Sequence, residues 1–169
     1  EGGSQYYCTI MSAVSDAMAQ KPGKAEFGDD KSYPTYTLDL PAGHYETVSI
    51  SPDGSRAVFV RSTSPSESVL WLADLARGGA SPLSSGPGRN DGPVWSPDSK
   101  RVTFAADRDG PQQVYVKTID DAAPEQPLYR SDVPFKGPGA WSSDGQWILL
   151  TQLDPGTAQN VYRMPAAGG

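Results

Sequence analysis

Few residues of this chain have side chains suited to catalysis. His44 is the only histidine and Cys8 the only cysteine among 169 residues. A Ser-His-Asp triad therefore needs His44 as its base, and a metal site built from several histidines is excluded within one chain. Nothing in the sequence fixes Cys8 close to His44, and no Gly-x-Ser-x-Gly nucleophile elbow occurs. We predict no catalytic, metal-binding or cofactor-binding residues, and no enzyme activity.

Three carboxylates instead recur at equivalent places. Asp53, Asp98 and Asp144 each lie two positions after a serine, in the phrases Ser-Pro-Asp-Gly, Ser-Pro-Asp-Ser and Ser-Ser-Asp-Gly. The serines lie 45 and 46 positions apart, a period typical of propeller blades and other repeat arrays. Pro, Asp and Gly at these places favour a tight turn. Carboxylates one repeat apart do not converge on a substrate, so we interpret them as structural.

Two other groups of residues suggest binding sites on first reading. Asp107-Arg108-Asp109-Gly110 has the start of a calcium loop, but the further oxygen ligands and the terminal Glu are missing. We predict a hairpin turn there. Trp71, Trp95 and Trp141 are predicted to lie in the hydrophobic core rather than to form a ligand cage.

Alignment on the turn serines predicts four strands in each repeat. A short apolar segment precedes each turn. After the turn come two apolar residues that are two positions apart, and then a segment with an aromatic residue. The predicted first strands end at Ile50, Trp95 and Trp141, and the second strands contain 57–59, 102–104 and 148–150. The third strands contain 69–72, 114–116 and 161–162. The fourth strands of the first two repeats contain Leu83 and Leu128.

The fourth strand of the last repeat is predicted at the other end of the chain. Leu38 precedes Ser51 by 13 positions, as Leu83 precedes Ser96, and it lies in the strand-like segment 34–40 with Tyr36 and Leu40. We therefore expect Tyr36, Leu38 and Leu40 of one chain to pair with the strand of Val161 and Tyr162, in strand exchange between chains.

Residues 1–30 lie outside the repeat. Ile10, Met11, Val14, Ala17 and Met18 are spaced for one helical face, and Lys21-Pro22-Gly23 would end such a helix. The segment 24–30 is predicted as a loop. We interpret 1–30 as an N-terminal extension, either a helix packed on the domain or a leader. A sharper hypothesis makes Cys8, Val14 and Met18 contacts to a neighbouring chain.

Composition and charge disfavour several classes of partner. The net charge of −6 disfavours binding to nucleic acid or to an anionic membrane by bulk attraction. No apolar segment approaches the roughly 18 residues of a membrane span, so we expect no membrane insertion. The 18 glycines and 16 prolines fall between short apolar segments, which favours an all-β fold rich in turns.

These repeats resemble the TolB-type, WD-like β-propeller repeat. The resemblance rests on Val94–Phe104, Asp107–Gly110, Val114–Val116 and Ala140–Ile148, and it covers residues 34–169. It implies three four-stranded antiparallel blades, within the domain 31–169, in an incomplete ring. The blade repeats span about 44–95, 96–141 and 142–169, with 34–40 as the displaced fourth strand. In its repeat motifs the chain is most similar to the propeller domains of bacterial membrane kinases.

Propellers typically have at least four blades, so three blades suggest either a fragment or a ring shared between chains. We therefore predict a non-enzymatic structural or protein-interaction module that completes a propeller or polymer by strand donation. Its partners would be other copies of itself, as a six-bladed dimer or a filament, or an unidentified protein. The alternative is a ligand-sensing or substrate-gating fragment of a larger kinase, protease or TolB-like envelope protein. The resemblance implies a periplasmic or extracellular location.

Overall fold

Each of the three repeated serine-to-glycine or serine-to-serine motifs forms the same kind of turn. In each, the serine hydroxyl donates to the carboxylate of the aspartate two residues later, at 2.5–2.6 Å. The amide two residues beyond that aspartate donates to the same carboxylate, at 3.0–3.1 Å. These bonds stabilise the ionised form and lower the pKa of all three aspartates, that of Asp53 to about 2. The predicted structural role of the aspartates is confirmed.

The backbone conformation of each turn explains which residue type occupies its fourth position. The fourth position has a positive φ at Gly54 (70°), Ser99 (58°) and Gly145 (70°). Glycine adopts this conformation at little cost, whereas serine is strained there. The amide of each of these residues donates to the carbonyl of its turn serine. The second repeat therefore keeps the turn despite its Ser-Pro-Asp-Ser variant.

A computed structural model describes residues 23–26, 37–40, 43–108, 110–156 and 159–168. All its regular elements in these ranges are strands: β1 Gly23–Glu26, β2 Thr37–Leu40, β3 His44–Ile50, β4 Arg56–Ser64, β5 Glu67–Asp74, β6 Ala80–Pro82, β7 Asn90–Trp95, β8 Arg101–Ala106, β9 Gln113–Thr118, β10 Gln126–Tyr129, β11 Lys136–Trp141, β12 Trp147–Leu153 and β13 Gln159–Pro165. The all-β prediction is confirmed.

The strands form three antiparallel repeat sheets and one small additional sheet. The first sheet has the order β3-β4-β5-β6, the second β7-β8-β9-β10 and the third β11-β12-β13. β1 and β2 form the N-terminal sheet, in which Leu38 lies opposite Ala25. Consecutive antiparallel strands in each repeat sheet confirm the predicted blades, and the three sheets do not close into a ring.

The sheets pack face to face, with an apolar layer between neighbours. One layer lies between the N-terminal sheet and the first sheet, and it contains Leu38, Leu40, Tyr45 and Phe59. The next lies between the first and second sheets. It contains Val58, Val60 and Leu70 on one side and Trp95, Val102 and Phe104 on the other. Val114 of the second sheet packs against Ile148, Leu150 and Met164 of the third.

Three details differ from the sequence-based predictions. One sheet ends and the next begins within 82–90 and within 129–136, rather than at the turn serines. The reason is that β7 and β11 pair with the strands that follow them. The third sheet has three strands in the described residues, because β2 pairs with β1. Residues 24–26, predicted as loop, belong to β1. Backbone pairing with β2 makes a strand of this polar segment, which has no β-branched residue.

Some predicted contacts lie outside the described residues. They include the proposed helix with Val14 and Met18, the thiol of Cys8, and Tyr36. Their roles stay predictions.

Candidate interaction surface

The outward face of the third sheet, which points away from the second sheet, is apolar and exposed. Along β12 the side chains alternate: Ile148 and Leu150 are buried against the second sheet, whereas Leu149 is 43% exposed. Leu153 is also exposed, and Val161 on β13 is 69% exposed. β-branched and leucine side chains at such positions normally lie in a core. We call this surface, formed by Trp147, Leu149, Leu153, Val161 and Arg163, the open face.

Equivalent positions in the other two sheets are buried. Leu149 lies seven positions after its turn serine, as do Val58 in the first sheet and Thr103 in the second. Val58 and Thr103 are both 0% exposed, because the next sheet covers them. The open face therefore corresponds in position to the faces of the first and second sheets that a neighbouring sheet covers.

A stacked pair of side chains lies at one end of the open face. The guanidinium carbon of Arg163 lies 4.0 Å from the centroid of the Trp147 ring. Stacking holds the flexible arginine side chain against the sheet, and Trp and Arg are the residue types most enriched at binding hot spots. The second sheet has a comparable pair across an internal interface: Arg101 stacks at 4.6 Å on Trp141 of the third sheet.

The edge of the third sheet is available as well as its face. Within the described residues β13 pairs with β12 alone, over its full length of Gln159–Pro165. An unpaired edge strand offers backbone donors and acceptors to another strand. Val161, predicted to take part in strand exchange, lies on this strand and on the open face. Tyr162 lies on the same strand, but its hydroxyl donates to Asp154, and this bond raises the pKa of Tyr162.

The other predicted exchange residues lie elsewhere. Leu38 and Leu40 are buried in the layer between the N-terminal sheet and the first sheet. Their strand pairs with β1 rather than with β13, so the single chain does not bring Leu38 and Val161 together. The two halves of the predicted exchange site therefore lie in different sheets.

A polar groove lies at the hairpin end of the first sheet, and the sequence did not reveal it. It has a volume of about 330 Å³ and is lined by His44, Glu46, residues 62–65 and Arg89. Arg89 donates to Glu46 at 2.7 Å, and the Ser62 hydroxyl donates to the same carboxylate. Because the Ser62 hydroxyl donates its hydrogen bond to Glu46 rather than to His44, this serine is not arranged as a His44-activated nucleophile. His44 and Arg89 both precede their turn serines by seven positions, the one signal that could have linked them.

A buried ion pair holds three connections of the second sheet together. Arg108 and Glu125 are 2.6 Å apart, with side chains 12% and 3% exposed. Glu125 also accepts from the amide and hydroxyl of Ser85, which follows the first sheet. Arg108 donates to Asn90 and lies over the ring of Tyr115. The two charges pair with each other, and only the buried Nε of Arg108 has no hydrogen-bond partner here, so we interpret the cluster as structural.

Lys136 is buried at the start of β11. Its ammonium group donates to the carbonyls of Gln112 at 2.5 Å and Ser131 at 2.8 Å, and burial lowers its pKa. Asn90, at the equivalent place in the second sheet, bonds Ser68 in the hairpin of the first sheet. Both residues tie the first strand of one sheet to the hairpin of the sheet before it.

The remaining sequence-based site predictions have these outcomes. Trp95 is buried in the layer between sheets, with its indole N–H donating to Ser49, and Trp141 packs in the next layer. Trp71 packs on the first layer. The segment at Asp107 connects β8 to β9 as the predicted hairpin. The part of the chain that the structure describes holds no cluster of three potential metal ligands and no helix suited to crossing a membrane.

Comparisons with known proteins agree with this architecture. A family model described as TolB beta propeller domain matches residues 44–169. The crystal structure of TolB from Acinetobacter baumannii aligns with a TM-score of 0.69 at 20% identity, covering 86% of this chain and 36% of that one. A chain of the nidogen/laminin complex aligns with a TM-score of 0.63 at 10% identity, covering 88% of this chain and 57% of that one.

One curated relative bears the name of an enzyme. The uncharacterized peptidase YuxL of Bacillus subtilis (strain 168) is 32% identical over 108 residues, which cover 60% of this chain. The match spans only 16% of the length of that protein.

Proposed function

Because the chain belongs to the TolB beta propeller domain family, we propose that it is a non-enzymatic protein-interaction module whose open face is completed by another blade. One observation carries the proposal: Leu149 is 43% exposed, whereas the equivalent Val58 and Thr103 are 0% exposed. The blade that completes the surface would come from a second copy, which gives six blades in all. The family resemblance supports a periplasmic or extracellular location.

Association through this surface is favourable on physical grounds. Exposed Leu and Val side chains gain roughly 25 cal/mol for each Å² of apolar surface that a partner covers. The open edge of β13 adds backbone hydrogen bonds, which fix the direction and alignment of the incoming strand. Two chains related by a two-fold axis use the same pair of surfaces twice and form a closed dimer. If the rotation from one chain to the next does not form a closed ring, the same contact gives a filament.

Leu149→Asp in the whole chain tests the proposal. A buried charge without a partner is costly, so we expect the dissociation constant of the assembly to rise at least about 100-fold in sedimentation equilibrium. Ser66→Asp adds the same charge on the exposed hairpin of the first sheet and should leave the constant unchanged. The proposal is wrong if the wild-type chain stays monomeric at all concentrations, or if both variants assemble like the wild type.

Substrate gating in a larger protein is a second candidate function. It is favoured by the similarity to a protein named as a peptidase, together with the polar groove at His44, Glu46 and Arg89. Such a groove would hold an extended peptide by hydrogen bonds to its backbone. Saturable binding of unstructured peptides that Arg89→Ala weakens would favour this function over self-association.

A further inference from the structure

We propose that β1 occupies, within its own chain, the place that β13 of a second copy takes on β2, so that β1 limits self-assembly. This inference rests on the proposed function, because it names how the open edge of the third sheet is completed. The N-terminal sheet then acts as an internal competitor. Assembly requires β1 to leave β2.

Paired residues have the same spacing along the chain in the first sheet and in the N-terminal sheet. Leu83 and Leu38 both precede a turn serine by 13 positions. In the first sheet the amide of Leu83 donates to the carbonyl of Leu70 at 2.7 Å, so Leu83 lies opposite a residue 13 positions earlier. In the N-terminal sheet Leu38 lies opposite Ala25, again 13 positions earlier. Ala25 therefore has the same place opposite Leu38 that Leu70 has opposite Leu83.

The third sheet has a residue equivalent to Leu70. Val161 lies 19 positions after its turn serine, as Leu70 does, and it is on the third strand of its sheet. Completion of the third sheet by β2 of a second copy would place Leu38 opposite Val161. Ala25 already lies opposite Leu38. In this proposal β1 lies along the same edge of β2 that the incoming β13 would use, so the two strands compete for that edge.

The faces of the sheets agree with this pairing. Leu70 and Leu83 both point toward the second sheet. Leu38 points toward the first sheet of its own chain, and Val161 lies on the open face. Paired across chains, Leu38 and Val161 would both face the first sheet of the copy that supplies Leu38. A shift by one residue would turn one of these side chains to the opposite face.

The first sheet also has an uncovered area where the incoming sheet would lie. Ile50 is opposite Ala57 in the pairing of β3 with β4, so it shares the face that Leu38 covers. Ile50 is nevertheless 57% exposed, whereas Trp95 at the equivalent place in the second sheet is buried. The N-terminal sheet thus covers only part of this face. A third sheet from a second copy would cover the rest.

Ala25→Pro tests the competition. Proline removes a backbone donor and disfavours a paired strand, so β1 should leave β2. We expect the dimer dissociation constant in sedimentation equilibrium to fall at least about tenfold, because the competing pairing is lost. Ala25→Ser keeps the backbone donor and should leave the constant unchanged. Leu149→Asp added to Ala25→Pro should restore the monomer.

A cross-link tests the pairing itself, and it does not depend on how far proline destabilises the N-terminal sheet. Two proteins are mixed, both with Cys8→Ser, one carrying Leu38→Cys and the other Val161→Cys. A disulfide between the two chains is expected under oxidising conditions, with Glu67→Cys in place of Val161→Cys as the unlinked control.

The outcomes separate this inference from the proposed function. An unchanged dissociation constant in Ala25→Pro, together with dissociation by Leu149→Asp, overturns the competition and leaves the interaction surface intact. Absence of the Leu38–Val161 disulfide in a mixture that does assemble also overturns it. Monomers in every variant overturn both the inference and the proposed function.

Discussion

Glu125→Ala is expected to lower the free energy of unfolding by about 3–5 kcal/mol, because it leaves the buried Arg108 guanidinium without its counter-charge. The carboxylate also accepts from the amide and hydroxyl of Ser85, and these donors would lose their partner. Urea denaturation of the whole chain, followed by tryptophan fluorescence, measures the loss. Glu125→Gln keeps an acceptor without the charge and should lose less.

The matched control removes an exposed ion pair. Arg77 lies 3.8 Å from Asp74, and both side chains are exposed. Pairs of this kind contribute about 0–1 kcal/mol, so Arg77→Ala should unfold close to the wild type. Equal losses in Glu125→Ala and Arg77→Ala would show that the Arg108–Glu125 pair does not hold the three connections together.

The same pair gives a pH dependence. Burial alone would raise the pKa of Glu125, but the Ser85 amide and Arg108 outweigh it, and the pKa lies below its ordinary value of 4.5. A carboxyl whose pKa is lower in the folded state adds stability above its unfolded pKa and loses it as the pH falls through the folded pKa. The stability difference between wild type and Glu125→Gln should therefore shrink steadily below about pH 4.5.

Phe104→Ala is the second change with a large expected effect. The Phe104 side chain is fully buried between the first and second sheets, and its ring stacks on that of Tyr115 at a centroid distance of 5.9 Å. Truncation of a buried phenylalanine costs about 3–5 kcal/mol, as transfer free energy and as the cavity left behind. The free energy of unfolding from urea titration gives the measurement.

Phe135→Ala makes the same chemical change at an exposed position. It should cost at most about 2 kcal/mol, since Phe135 is 46% exposed and buries only part of its side chain on folding. A similar loss for both phenylalanines would contradict the packing between the two sheets. Because the Arg108 guanidinium lies over the Phe104 ring at 5.7 Å, losses from Phe104→Ala and Glu125→Ala should not add.

Local patterns were enough to predict the blades. The turn phrases at Ser51, Ser96 and Ser142 specify their own hydrogen bonds, and alternating apolar residues specify which side of each strand is buried. The open edge of β13 was predicted as well, because the fourth strand of the last repeat was expected at the other end of the chain rather than beside Val161.

Contacts between distant segments were beyond sequence reasoning. β1 has no strand-like composition, and only its pairing with β2 makes it a strand. Arg108 and Glu125 lie in two different connections, and nothing in either segment indicates the other. The groove at His44, Glu46 and Arg89 likewise depends on how two neighbouring sheets meet at their hairpin end.

The proposed function requires that the open face becomes covered when the chain associates. The rate at which a thiol reagent labels Val161→Cys, in a Cys8→Ser background, measures access to that face directly. We expect labelling in dilute solution to be fast, since Val161 is 69% exposed, and to slow at least about tenfold as concentration drives association. A labelling rate that stays the same from dilute to concentrated solution would show that association does not cover the open face.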